Sequence, residues 1–245
     1  MRAGTGGGGG HTGSGLLLTT MTARLSIVVP AGPGDEAWRP LLPALVRGCI
    51  EIGLPAQIVL VLPDAATTPF DLPAGVTLIH APTGRASQLN AGARATDGEW
   101  LWFVHADSVL GRDTLRALQA FVASGRDAIG YFDLRFLDDG PALIALNTAG
   151  AWVRSRVLGL PFGDQALVMP RRVFDRLGGF PAVSGEDHAL VWAARRARVP
   201  VRPVRARVYT SARRYAARGW VATTARHLWL TALQAWRFAR MRSAA

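Results

Sequence analysis

The chain has no lysine, a single cysteine, and no apolar run long enough to cross a membrane. Its 28 basic residues are all arginine and face 17 acids, for a net charge of +11. Arginine holds its charge when partly buried and grips phosphate through paired N–H donors. A basic balance favours nucleic acid, an anionic membrane or phosphorylated small molecules. No DNA- or RNA-binding motif is present, and the arginines are not interleaved with aromatics on one element, which argues against nucleic acid. One cysteine excludes an internal disulfide framework and a multi-cysteine zinc site. Cys49, within LLPALVRGCIEIGL, reads as a packed thiol. It fits a reducing, cytoplasmic setting, with a peripheral place at the inner face of the membrane as the alternative. Internal repeats are also absent.

Residues 1–23 are glycine-rich and carry no signal-peptide core. They are expected to form a flexible tail, or an upstream extension of a chain starting near Met21. At 49% hydrophobic and 18% charged, the chain as a whole is globular in composition.

Apolar runs at Leu25–Pro30, Gln57–Leu62 and Val76–His80 predict three strands, with a helix over Trp38–Gly53 between the first two. A glycine-punctuated helix, Arg85–Arg94, then feeds a fourth strand at Leu101–Val104, and a helix follows over Asp113–Ser124. Strands alternating with helices imply a mainly parallel sheet with right-handed crossovers. Ala128–Phe136 alternates like an exposed or edge strand. Ala142–Leu158 is helical, and Leu160–Pro170 is a glycine-interrupted loop and strand. A short helix over Arg171–Leu177 stops at Gly178–Gly179. Ser184–Ala197 reads as a helix with an N-cap-like serine and two first-turn acids, Glu186 and Asp187, which the helix dipole favours. The chain ends in an amphipathic helix bearing Trp229 and Trp236, expected to pack on the core, with a dimer contact or contact to an anionic membrane as the alternatives.

The most informative stretch is Gly84–Ser108, GRASQLNAGARATDGEWLWFVHADS. Its strand has no polar alternation, as expected where both sheet faces are covered. In open α/β sheets ligands collect outside the carboxyl ends of strands. Asp107 stands there after a helix carrying Arg85 and Arg94, so the stretch reads as a site for a phosphorylated ligand and a metal.

Several blocks in order resemble one family. They are Gly84–Ala86 with Gln88–Ala93, Phe103–Ser108, Gly130–Phe136, Ser155–Arg156, Gly159–Gln165, Arg171–Phe180, Glu186–Asp187 and Thr210–Arg214. Together they resemble the family 2 glycosyltransferases of the GT-A fold, and more narrowly a radical-SAM/selenodomain-associated subgroup also linked to arsenosugar biosynthesis. The resemblance implies an α/β GT-A fold with a mainly parallel central sheet flanked by helices and a C-terminal helical extension. Residues 24–127 would form the nucleotide-binding half, and 128–245 the acceptor half with the C-terminal helix. It also implies inverting, metal-dependent glycosyl transfer from a nucleotide-sugar to an acceptor.

By that resemblance Asp107 is the last acid of a DxD-type motif and, with His105, would hold Mn²⁺ or Mg²⁺ against the donor diphosphate. Asp187 would be the catalytic base. Pro30, Glu36, Asp64, Arg85, Arg213 and Arg214 would contact the donor, and Asp164, Gln165 and Glu186 the acceptor or its loop. Each has a plainer reading in the residues themselves: a strand-end hydrogen bond for His105, helix capping for Asp187 and Glu186, turn stabilisation for Asp164, and a solvated basic patch for Arg213 and Arg214. Two family elements are altered. Pro30 is followed by Ala31–Glu36 without the usual asparagine, and the second strand delivers Pro63–Thr68 without the usual glycine. A backbone built for close approach to a nucleotide would be strained or reshaped by alanine there. A non-catalytic descendant that binds a ligand or partner is therefore the alternative function.

Overall fold

A computed structural model describes residues 25–67 and 71–240. The tail expected over residues 1–23 lies outside them. The chain runs β1 (Leu25–Pro30), α1 (Trp38–Glu51), β2 (Ala56–Pro63), β3 (Val76–Ala81), α2 (Arg85–Arg94), β4 (Trp100–Phe103), β5 (Val109–Leu110) and α3 (Thr114–Ala123). It continues through β6 (Ile129–Phe136), α4 (Ile144–Arg156), a 3-10 turn (Gly163–Gln165), β7 (Val168–Pro170), α5 (Arg171–Arg176), α6 (Glu186–Arg196), β8 (Val201–Thr210), α7 (Arg213–Arg218) and α8 (Trp220–Arg240).

One eight-stranded sheet has the order β3-β2-β1-β4-β7-β6-β8-β5. The first four strands are parallel, as the alternating strands and helices predict. Beyond β4 the sheet becomes mixed. β7 runs antiparallel to both β4 and β6, β6 pairs β8 in parallel, and β5 pairs β8 antiparallel. β6 is therefore not the edge strand its alternation predicts. It lies between β7 and β8, with Ile129–Phe132 and Leu134 buried. A bulge between Tyr131 and Asp133 breaks its register with β8, and Arg205 in that stretch of β8 takes φ +63°.

The parallel strands are buried on both faces and so read as unbroken apolar runs. Leu25, Ile27 and Val29 point to the layer of α1 and α3, whereas Val28, Val61 and Phe103 pack with Leu89 of α2 and with Phe174 and Leu190 beyond it. Two polar side chains inside this apolar region act as staples. Ser26 donates to Gln57 Oε1 at 3.1 Å and accepts from the Gly98 N–H at 3.0 Å. Buried Gln88 donates through Nε2 to the carbonyls of Ala31 (2.7 Å) and Val61 (2.9 Å), joining the exits of β1 and β2.

The expected serine cap of α6 is replaced. Gly185 is the N-cap in the left-handed region, φ +80°, which glycine adopts without a Cβ penalty, and no side chain caps the helix. Helix α8 also differs from expectation. Trp220 Nε1 donates to Asn147 Oδ1 of α4, Asn147 Nδ2 donates to Thr224 Oγ1, and Tyr215 hydrogen-bonds His227, so α8 docks through polar groups. Trp220 also packs against Ile144, Ala212 and Tyr215, whereas Val221, Leu228, Trp229, Leu233 and Trp236 stay exposed, Trp229 at 62% and Trp236 at 56%. No described helix is long and apolar enough to cross a membrane.

Candidate active site

The strand directions gather the candidate residues at one edge of the sheet. β1, β2 and β4 are parallel, so Pro30, Asp64 and the His105–Asp107 turn leave the same, carboxyl, edge. α2 begins there with Arg85, after β3. β7 runs the opposite way, so the Gly163–Gln165 turn that precedes it reaches this edge too, as does Thr210 at the end of β8. This is where ligands collect in open α/β sheets.

Asp187, the second residue of α6, sits against the Gly163 turn. A Cβ on Gly163 would lie 2.2 Å from Asp187 Oδ2, so only glycine admits the carboxylate. The Gly163 N–H lies beside that carboxylate and favours its charged form. Burial nevertheless pushes the Asp187 carboxyl up to about 6, with Glu186 adding to the rise and Arg85 and the Gly163 N–H opposing it. A carboxyl tuned to that range is matched to taking a proton near neutral pH. Arg85 Nε stands 3.5 Å from Glu186 Oε1, joining the N-termini of α2 and α6.

Asp164 is next to this pair. Burial raises its carboxyl, Arg154 opposes the rise, Asp187 adds to it, and the charges of Arg85 and Asp107 also reach it. Its Oδ1 is buried without a protein hydrogen bond, an acceptor left open toward the carboxylate cluster. The turn is completed by Ala166, whose φ of +48° is left-handed for a residue with a side chain. Strain of this kind persists where the surroundings over-determine the backbone. Trp102 supplies part of that constraint, donating Nε1–H to the Ala166 carbonyl at 3.1 Å.

Arg154 of α4 is the residue the sequence blocks miss, although it directly precedes the matching Ser155–Arg156. Its guanidinium lies 3.3 Å from the centroid of the Phe162 ring. It donates Nε–H to the Leu160 carbonyl (3.1 Å) and Nη2–H to Gln165 Oε1 (3.2 Å). Burial lowers its pKa, and Asp164 pulls it back up. Arg154 thus fixes the loop that presents Asp164.

Gln165 does not face the ligand edge. It is fully buried, donates Nε2–H to the Phe132 carbonyl (2.9 Å), and its Oε1 also accepts from the Phe162 N–H (3.2 Å). Every one of those bonds is internal, so Gln165 holds the turn from inside. Glu36 is 69% exposed and pairs with Arg39 at 3.2 Å. Arg213 is 82% exposed, with Nε 3.4 Å from Asp139 and 3.0 Å from Ser211 Oγ. Arg214 lies in α7, and its side chain is outside the described residues.

Asp107 accepts from Thr210 Oγ1 at 3.3 Å, and its Oδ1 lies 4.0 Å from His105 Nδ1. The Thr210–Arg214 block therefore orients Asp107. The same block binds Asp139, whose carboxylate accepts from Ser211 Oγ (2.6 Å) and the Ala212 N–H (2.7 Å). Burial raises Asp139, but these bonds and Arg213 outweigh it and leave the carboxyl below its ordinary range. Among the described residues no group of three or more His, Cys, Asp or Glu forms a metal cage. One carboxylate and one imidazole suit a divalent ion whose other ligands come from a substrate diphosphate.

The altered loop after β2 is reshaped without strain. The Ala66 N–H donates to the Pro63 carbonyl (2.8 Å), and the Asp64 N–H to that of Ala81 (2.9 Å). No residue of 63–67 has positive φ, so alanine fits where glycine is usual, and Asp64 is exposed at the edge.

Residues 62–180 match the family described as glycosyl transferase family 2. No curated protein matches the chain. Among solved structures, the mannosyltransferase PcManGT from Pyrobaculum calidifontis, in complex with GDP-Man and Mn²⁺, is 20% identical with a TM-score of 0.55. That alignment covers 77% of this chain and 57% of that one. TarS 1–349 of S. aureus is 17% identical with a TM-score of 0.56, covering 77% and 60%. The same TarS fragment in complex with UDP-GlcNAc is 18% identical with a TM-score of 0.54, covering 77% and 58%. The chain therefore spans less than two thirds of the length of these structures. It has the GT-A fold, and the family it matches, over residues 62–180, is glycosyl transferase family 2.

Proposed function

We propose that the chain transfers a glycosyl group from a nucleotide-sugar to an acceptor hydroxyl with inversion at the anomeric carbon. The observation that carries this reading is Asp187, a carboxyl raised to about 6 and held by Gly163 among Arg85, Glu186 and Asp164 at the carboxyl edge of the sheet. As general base it takes the proton of the acceptor hydroxyl while that oxygen attacks the anomeric carbon opposite the nucleotide. A second acid is not required, because the leaving nucleoside diphosphate departs as a stabilised anion.

Asp164, with its open Oδ1, and Glu186 bind and orient the acceptor. Arg85, Asp64, Arg213, Arg214 and the loop after Pro30 bind the donor. Residues 24–127 form the donor half in this reading, and 128–245 the acceptor half. Asp107 and His105 would hold a divalent metal, which when bound neutralises charge on the diphosphate. The structurally similar PcManGT was solved with GDP-Man and Mn²⁺, and TarS with UDP-GlcNAc, which supports a nucleotide-sugar donor and Mn²⁺ here. The ordered sequence blocks support the radical-SAM/selenodomain-associated subgroup.

The test is a thermal-shift panel of UDP- and GDP-sugars with and without Mn²⁺, followed by release of nucleoside diphosphate in the presence of candidate acceptors. At least one nucleotide should raise the melting temperature, and Asp107→Ala should abolish the Mn²⁺-dependent part. If no nucleotide stabilises the fold and Asp107→Ala behaves like the parent, the transferase reading fails.

A further inference from the structure

Helix α8 is mounted with its polar row inward. Helical residues advance by roughly 100° each, so Trp220, Thr224, His227 and Gln234 share one side. The first two hydrogen-bond Asn147, and His227 bonds Tyr215. Gln234 faces His188 and packs against Gly185, where a Cβ would lie 2.4 Å from its Nε2. The side and far faces carry Val221, Leu228, Trp229, Leu233 and Trp236, between 42% and 70% exposed. Arg226 and Arg237 flank this apolar row and are exposed. Neighbouring α4, tied to α8 through Asn147, also leaves Leu146, Val153 and Val157 exposed along one side. Exposed apolar side chains gathered on one side in this way mark an interaction site.

The charge of the chain is distributed to match. Residues 188–245 contain 13 Arg and no Asp or Glu, whereas residues 1–187 contain 15 Arg and 17 acids. The whole positive excess therefore lies in the C-terminal segment that includes α8. A second copy of this chain would bring like charge against like charge at that face, which disfavours self-association. An anionic lipid surface supplies the opposite charge and an apolar interior for the two tryptophans.

We propose that α8 is an interfacial helix, which grips the domain by its polar row and inserts its apolar row into the headgroup region of an anionic membrane. Its sequence is amphipathic and basic with aromatic residues on the apolar side, the pattern of helices that lie in the interface plane. Through Gln234, α8 also covers Gly185, the N-cap of the helix that carries Asp187. Resting on the transferase reading above, the acceptor is then a hydroxyl compound displayed at the membrane surface.

The test is co-sedimentation of the full chain with vesicles of phosphatidylcholine alone and of phosphatidylcholine mixed with phosphatidylglycerol. The chain should bind the mixed vesicles, less so at high salt, and bind the neutral ones weakly. Trp229→Ser combined with Trp236→Ser should reduce partitioning about tenfold or more. Arg226→Ser and Arg237→Ser should each reduce binding to the anionic vesicles about fivefold and leave neutral vesicles unaffected. All four side chains point outward, and unchanged melting temperatures would confirm that the variants fold. The arginine variants keep the test decisive should the tryptophan pair unfold. Failure to bind anionic vesicles, or equal binding by parent and both sets of variants, overturns the proposal. So does a parent dimer that the tryptophan changes dissociate without any vesicle binding. Stabilisation by nucleotide is read separately, so absent lipid binding with an intact nucleotide shift overturns this inference alone.

Discussion

The parallel half of the sheet and the half beyond β4 solve different problems. Residues 25–103 build β1–β4 from apolar runs, and the buried polar side chains there, Ser26 and Gln88, tie neighbouring segments of the scaffold together. Beyond β4 the sheet turns antiparallel, and charged groups gather: Arg154 against Phe162, Asp164 with an open oxygen, and Asp187 against Gly163. A rigid apolar scaffold tolerates little polarity in its interior, but it can hold at its rim a cluster whose desolvation is costly. One half supplies precise placement and the other supplies groups whose protonation is worth tuning.

The comparison breaks hardest at Asp187. Asp187→Asn should lower kcat by about 100- to 10,000-fold with donor binding retained, measured by nucleoside diphosphate release. Relief of a buried charge should leave the melting temperature equal or higher. The pH profile of kcat/KM for the parent should fall on the acid side with an apparent pKa of about 6. The sign follows from burial, which favours the neutral carboxyl while the base must be ionised, so activity is lost as pH drops. An acid limb near 4 would remove Asp187 from that role.

Gly163→Ala comes next. The added carbon would overlap Asp187 Oδ2, so the carboxylate must move, and a displaced base costs about 100-fold in kcat. Circular dichroism should show an intact fold, which separates this effect from unfolding.

In the parallel half the expected effect is on stability. Gln88→Leu leaves the Ala31 carbonyl without its side-chain donor and the Val61 carbonyl with the Ala31 N–H alone, which should cost about 1 to 3 kcal/mol and lower Tm by roughly 6 °C. A calorimetric melt checks it, and donor KM should rise with kcat little changed, because both loops leave the strands at those carbonyls. Arg213→Ala should have the smallest effect. Its ion pair is solvent-exposed, so Tm should not move, while donor KM should rise a few-fold in a titration of the nucleotide-sugar.

Much of the fold was legible in the sequence because apolar periodicity reports local burial. Leu25–Pro30 and Arg85–Arg94 form as predicted, to the residue, and the neighbouring strands differ by one or two residues at their ends. Beyond β4 the same reasoning weakens. Alternation in Ile129–Phe136 looks like an edge strand, but pairing with β7 and β8 covers it. Gly185 displaces Ser184 as the cap of α6, since a left-handed entry is needed there. Several residues in the recognisable blocks also turn out to be structural. Asn90 exchanges reciprocal bonds with the Phe180 backbone (2.8 and 2.9 Å), and Arg171 binds the carbonyls of Gly98 and Ala93.

The sequence by itself determined the α/β alternation, the glycine before α2, the acids at the ends of β4 and α6, and an all-arginine basic charge. These are local properties, set by periodicity and residue chemistry. Only the tertiary structure decided that Gly163 lies against Asp187, that Arg154 faces Asp164 while Gln165 turns inward, and that α8 turns Trp229 and Trp236 outward. Those outcomes depend on contacts between distant segments and on the free energy of burying charge, neither of which one stretch of sequence contains.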